Sequence, residues 1–166
     1  MKKLFIFTAI LMVVSVSFGM TSKTSNSAKG DEKAAINLVL DKFDEALSTR
    51  NPSGLALLLC EEAMLIGTDP SEFWNKQETI DMWTEALSQG PPPEFKYMGD
   101  REIVMGPGGK SAVVVTQYVI PAWSPNIPWR QVYHMVKVKK EWKILLINVA
   151  FIPKNEDIQK LNDALE

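Results

Sequence analysis

The run Gly90-Pro91-Pro92-Pro93 divides this chain into two regimes and constrains its fold more than any other feature. Three consecutive prolines cannot continue a helix, and a glycine just ahead of them is a common helix stop. Before the run, apolar residues recur at spacings of three and four. After it come stretches rich in Val, Ile, Tyr and Trp, cut by turn signals. Helices first and strands afterwards is an α+β pattern.

The first regime predicts three helices. Over 33–49, Ile36, Val39, Leu40, Phe43 and Leu47 share one face, with Lys42, Asp44 and Glu45 opposite. Asn51-Pro52 ends that helix, because a residue before proline avoids helical backbone. Pro52 then suits the first turn of a second helix through Leu59. A short strand is expected over 63–67, leading into Thr68-Asp69-Pro70. A third helix, from Ser71 or Asn75 to Leu87, buries Trp74, Ile80, Trp83 and Leu87.

The second regime predicts four strands, over 95–104, 111–121, 129–139 and 142–153. Their connections are Gly106-Pro-Gly-Gly109, the segment containing Ser124-Pro-Asn126 and Pro128, and Lys139-Lys-Glu141. Such short links make the neighbours antiparallel. A polar helix over 155–165 closes the chain. The expected product is a curved antiparallel sheet, a four-strand meander plus the short early strand. It wraps over the three helices as a cone with an internal pocket.

Alternation along strands then nominates pocket residues. With Lys137 and Lys139 facing water, Arg130, Val132, His134, Val136 and Val138 point inward, and Tyr133 and Met135 outward. With Lys143 outward, Trp142, Ile144, Leu146, Asn148 and Ala150 point inward. For 111–121 the inward set is Ala112, Val114, Thr116 and Tyr118. The interior is thus expected to be apolar, with Tyr118, Arg130, His134 and Asn148 set into it. Trp83 belongs to the helical wall. Trp123 and Trp129, flanking the proline-rich loop, suit a pocket mouth or a dimer contact.

Charge and composition exclude several functions. The sequence opens with Lys2 and Lys3, an apolar run over 4–14, then Ser17 and Gly19: a signal-peptide pattern over 1–19. A polar linker is expected over 20–32, and the domain over 33–166. Without the leader's two lysines, 16 basic residues remain of 18, against 20 acidic ones. That balance argues against a nucleic-acid partner. No cysteine near the leader could carry a lipid, so the mature chain is expected to be exported, periplasmic or secreted, and not an integral membrane protein. Cys60, in Leu57-Leu-Leu-Cys60, reads as a buried small hydrophobe. One histidine and one cysteine cannot build a metal site, and no cofactor is implied.

The order of elements over about 33–153 resembles the nuclear transport factor 2-like fold, also called SnoaL-like. Leu65-Ile-Gly-Thr-Asp-Pro-Ser-Glu-Phe-Trp74 is similar to a Gly-(Ser/Thr)-Asp-Pro-x-Glu-x-Trp segment of one SnoaL-like subgroup. Glu141-Trp-Lys-Ile144 resembles the start of the family's last strand. The chain departs where the family often has glycine, at Asn75-Lys76, and where it often has histidine, at Asn148.

The resemblance implies either ligand binding or cofactor-independent chemistry of the isomerase, cyclase or dehydratase kind. In the enzymatic reading Asp69 or His134 is the base, and Tyr118 or Asn148 the donor to an enolate. Asp69-Pro70 is equally a turn or helix cap. In the binding reading Tyr118, Trp123, Trp129, Arg130, Asn148 and Trp83 contact a small apolar or amphipathic ligand. A third reading is an interaction domain that dimerises through the outer sheet face, and a homodimer is the expected assembly.

Overall fold

The computed structural model describes residues 21–165; the leader expected over 1–19 lies outside them. Helix α1 is Thr21–Ser48, starting twelve residues before the expected Lys33. The segment read as a linker over 20–32 is therefore helical from Thr21. Nothing in it breaks a helix beyond Gly30, and Glu32 is anchored to the sheet. Its carboxylate accepts hydrogen bonds from Lys137 Nζ and, at 2.7 Å, from Trp142 Nε1. Those two donors hold the Glu32 carboxyl below the usual carboxylate range.

Helix α2 is Pro52–Leu58, capped by Asn51, whose Oδ1 accepts the Gly54 N–H at 2.9 Å. Strands β1 (Leu59–Ile66) and β2 (Phe73–Asn75) form a hairpin that runs directly into α3 (Lys76–Gln89). Asn75 and Glu78 make a reciprocal capping box there, at 3.1 and 2.8 Å. The expected strand over 95–104 is split into β3 (Lys96–Tyr97) and β4 (Glu102–Met105). Gly99 takes φ 98 between them, a left-handed turn that glycine adopts freely. Strands β5 (Ser111–Ile120), β6 (Ser124–Val138) and β7 (Glu141–Phe151) form the meander, and α4 (Ile158–Asp163) ends the described chain.

The seven strands form one sheet in the order β2-β1-β7-β6-β5-β3, with β4 also paired to β5. The early strand β1 joins the meander in parallel with β7. The sheet's inner face lies on α1, burying Ile36, Leu40, Phe43 and Leu47 against Val114, Tyr133, Met135, Ile144 and Ile147. Phe43 meets Tyr133 edge to face at 5.8 Å. Each such aliphatic or aromatic burial stabilises by about 1.5–3 kcal/mol.

The inward set of β5 is as expected: Ala112, Val114, Thr116 and Tyr118 are buried. That of β6 is reversed. Gln131, Tyr133 and Met135 are buried, whereas Arg130 is exposed and Val132 and His134 lie half-covered on the outer face. The expectation assumed that Lys137 faces water. Instead Lys137 points inward, pairs with Glu32 on α1, and sits 5.6 Å over the Trp142 ring.

On β7, Trp142 and Ile144 point inward as expected. A bulge then intervenes: Met135 faces Ile144 and His134 faces Leu146, leaving Leu145 as an extra residue. Beyond it Ile147 and Val149 point inward, so Leu146, Asn148 and Ala150 belong to the outer face.

A second polar anchor holds α1 near its C-terminal end. Arg101, between β3 and β4, donates to Asp41 at 2.5 Å and to Asp44 at 2.7 Å, and Tyr97 donates its hydroxyl to Asp44 at 2.5 Å. Asp44, read from the sequence as solvent-facing, is half-buried. Burial pushes its carboxyl pKa above the ordinary value, against the pull of the Tyr97 and Arg101 hydrogen bonds.

Replacing Arg101 by Gln should cost about 1–3 kcal/mol at neutral pH, the pair being only partly shielded from water. A carboxyl whose folded-state pKa is raised favours the fold more as pH falls. The variant, with Asp44 less compensated, should therefore recover most of the loss on acidification. Urea unfolding of both proteins at pH 7 and pH 4 measures this, and a penalty equal at the two pH values would refute it.

Candidate functional site

The sheet curls beyond the C-terminal end of α1, and the space left there is a cavity of about 210 Å³. Its walls come from β1, the β1–β2 hairpin, α3, and strands β5, β6 and β7. Six aromatic rings line it: Trp74, Trp83, Phe95, Tyr118, Trp123 and Trp129. Exposed lining residues Thr68, Ala86 and Trp123 mark its opening. A larger trough of about 630 Å³ runs outside α1 and α2, over the exposed Leu38 and Leu57. It is an open surface feature outside the cone, and the inner cavity is the better-walled site.

The aromatic lining forms a packed series. Phe95 meets Tyr118 edge to face at 5.0 Å, and Tyr118 stacks with Trp129 at 6.4 Å and 14°. Trp129 in turn leans on Trp123 at 6.3 Å and on Phe151 at 4.4 Å. The polar groups are few. The Tyr118 hydroxyl donates to Gln131 Oε1 at 2.8 Å. Burial first, and then the charge of Asp44, push the Tyr118 phenol well above its ordinary value, so it stays protonated. The indole N–H groups of Trp83 and Trp129 find no acceptor among the described residues.

Glu72 is the one carboxylate in the wall, placed by the Gly67–Glu72 turn. Gly67 N–H donates to the Glu72 carbonyl at 3.0 Å, and Asp69 N–H to Glu72 Oε2 at 2.9 Å. The Glu72 side chain is thereby folded against Gly67, where a Cβ would stand 2.1 Å from Oε2 and 2.8 Å from the Glu72 Cβ.

Of the residues singled out in the sequence, Tyr118, Trp83, Trp123 and Trp129 line the cavity. Asp69 does not. It sits in the exposed turn, where its Oδ1 accepts the Ser71 hydroxyl at 2.5 Å and the Ser71 N–H at 2.9 Å. The Ser71 hydroxyl and then its amide keep the Asp69 carboxyl below the usual range. His134, Arg130 and Asn148 stand on the outer sheet face, for the reasons of parity and bulge given above. Asp69 and His134 thus do not line the cavity.

Sequence reasoning missed Gln131, through the reversed parity of β6, and Glu72. Glu72 lies inside the Gly-Thr-Asp-Pro-Ser-Glu segment already quoted. A glycine five residues before it signalled a tight hairpin, which could have turned its side chain back to the wall.

These features define a class: an α+β cone with an aromatic cavity. A sequence model of the SnoaL-like domain matches residues 36–151, and the chain belongs to the SnoaL-like family. Solved structures with the same fold include one provisionally named scytalone dehydratase from Novosphingobium aromaticivorans. It is 14% identical, with 77% of this chain and 89% of that one covered at a TM-score of 0.64. A cystatin-like fold protein from Burkholderia xenovorans is 17% identical, covering 75% and 94% at 0.61. A protein of unknown function from Pectobacterium atrosepticum is 19% identical, covering 74% and 92% at 0.60. No curated protein matches the sequence.

Gly67→Ala should cost about 1–3 kcal/mol by denaturant unfolding, since its methyl must displace the Glu72 side chain. Combining it with Glu72→Ala should cost less than the two single changes added together. Strict additivity would mean that the glycine is not there to seat Glu72.

Proposed function

We propose that this chain is an exported SnoaL-like domain that binds a small apolar or amphipathic molecule in the cone cavity without transforming it. The observation that carries the reading is the wall itself: six rings, aliphatic side chains, and only isolated polar groups. Small-ligand sites are built in this way. At about 210 Å³ the cavity holds on the order of seven water-sized groups. That restricts the guest to one or two small rings or an equivalent chain. Export rests on the leader pattern of residues 1–19.

Turnover of the isomerase, cyclase or dehydratase kind needs a base within reach of the guest. Asp69 is committed to Ser71 in an exposed turn, and His134 stands on the opposite side of the sheet. Glu72 does border the cavity, but it already accepts the Asp69 N–H, and the Tyr118 hydroxyl that would have to donate to an enolate is engaged by Gln131. Binding therefore has the stronger support.

Toluene is a suitable apolar probe. It should shift the indole N–H resonances of Trp83 and Trp129 in a ¹H–¹⁵N spectrum, and Ala86→Phe, placed at the opening, should weaken binding by about tenfold or more while leaving the melting temperature nearly unchanged. Toluene shifts of equal size in the variant, or none in either protein, would overturn the reading.

A homodimer through the outer sheet face is the second reading. That face carries Val104 and Val113 at 66% and 41% exposure, with Val115, Val132, Val136 and Leu146 half-covered beside them. Apolar surface of this extent suits a matching surface on a second copy. Tyr133 and Met135, expected in that contact, face the core and take no part. Val132→Glu should convert the particle to a monomer in sedimentation velocity; a wild-type monomer at high micromolar concentration would dispose of the dimer.

A further inference from the structure

The charge and ring content of the cavity narrow the guest further, on the assumption that the cavity is a binding site as proposed above. Four of the six rings in its wall are tryptophans, the side chain whose π face attracts cations most strongly. Among the described residues no lysine, arginine or histidine lines it, and the one acidic side chain in the wall is Glu72. Arg101, 5.7 Å from the Tyr97 ring that adjoins Phe95 and Tyr118, is already matched by two carboxylates, Asp41 and Asp44. The formal charge of the lining is therefore negative, through Glu72.

The hydrogen-bonding groups point the same way. The Nε1 atoms of Trp83 and Trp129 have essentially no accessible surface although both rings border the cavity. A guest meets the carbon surface of these rings and not their donors. The Tyr118 proton is engaged by Gln131. A protonated primary amine would bring three N–H donors to a wall whose strong acceptor is Glu72 alone, and burying unmatched donors is costly. An ammonium whose hydrogens are replaced by methyl groups brings none.

We propose that the cavity recognises a small quaternary or tertiary ammonium compound, its methylated head held among the tryptophan rings and its charge facing Glu72. Aromatic enclosure with one flanking carboxylate satisfies the needs of such a head: polarisable contact on all sides, a counter-charge, and no demand for hydrogen bonds. The cavity volume takes a trimethylammonium group together with a short substituent.

Choline and 3,3-dimethyl-1-butanol test this directly, because they share shape and hydroxyl and differ in charge. We expect choline to bind about tenfold or more tightly than the alcohol in titrations read at the Trp83 and Trp129 indole N–H resonances. Salt should weaken choline binding and leave the alcohol unaffected. Glu72→Gln retains an oxygen to accept the Asp69 N–H, and it should reduce choline affinity by about fivefold or more without changing that of the alcohol. Equal or tighter binding of the alcohol, or an unchanged choline affinity in Glu72→Gln, overturns the charge selection while leaving the cavity as a binding site. If neither compound, nor toluene, binds in a manner that Ala86→Phe weakens, the binding reading itself fails and this inference falls with it.

Discussion

The seating of α1 on the inner face of the sheet is the contact on which the rest of this structure depends. Its apolar stripe, with Phe43 against Tyr133 at the centre, is clamped by polar contacts at two places. Towards the N-terminal side Glu32 receives Lys137 and Trp142; towards the other end Asp41 and Asp44 receive Arg101, with Tyr97 also on Asp44. Burial of the stripe supplies most of the stabilisation, since it is roughly proportional to apolar area. The clamps contribute less energy, each being partly solvated. What they add is position, because a slide of α1 along the sheet would separate all of these charges at once.

The cavity follows from where that helix stops. Beyond the reach of the α1 stripe, the inner-face residues of β5, β6 and β7 are faced by α3 across a gap. Tyr118, Trp129, Gln131 and Val149 occupy those positions. Rings too large to collapse into the gap leave a void between themselves and α3. The bulge at Leu145 matters here: without its extra residue Asn148 would face inward in place of Val149, and an amide would stand in an apolar wall. A single local irregularity thus decides the polarity of one side of the site.

Much of this was legible in the sequence, and the exceptions have identifiable causes. Helix periodicity found the α1 stripe, and the Gly90–Pro93 run marked the change to strands. The inward set of β5 was correct although both of its faces are apolar. The parity of β6 was read from Lys137, on the rule that lysines face water. A lysine near the end of a strand can equally lie over a tryptophan and meet a glutamate from another element. Glu32 is 105 residues away in sequence, a separation that local patterning does not see. The β7 bulge is invisible for a different reason. It falls within an unbroken apolar run, Ile144-Leu145-Leu146-Ile147, in which an extra residue leaves no mark on the hydrophobic pattern. The error moved His134, Arg130 and Asn148 into the cavity on paper and kept Gln131 out of it.

The exchange of Asp69 for Glu72 as the carboxylate of interest shows how the hairpin assigns roles. Both lie in one six-residue turn, and both are acids of nearly the same intrinsic strength. Asp69 has a side chain short enough to bond Ser71 two residues ahead, so it closes the turn and remains in water. Glu72 is one methylene longer and starts where β2 is about to begin, so its carboxylate folds back to the Asp69 amide and borders the cavity. Gly67 leaves the space that this return requires. Two acids three residues apart thereby separate into a structural group and a group that borders the cavity. Their difference rests on side-chain length and on the absence of one methyl group at Gly67.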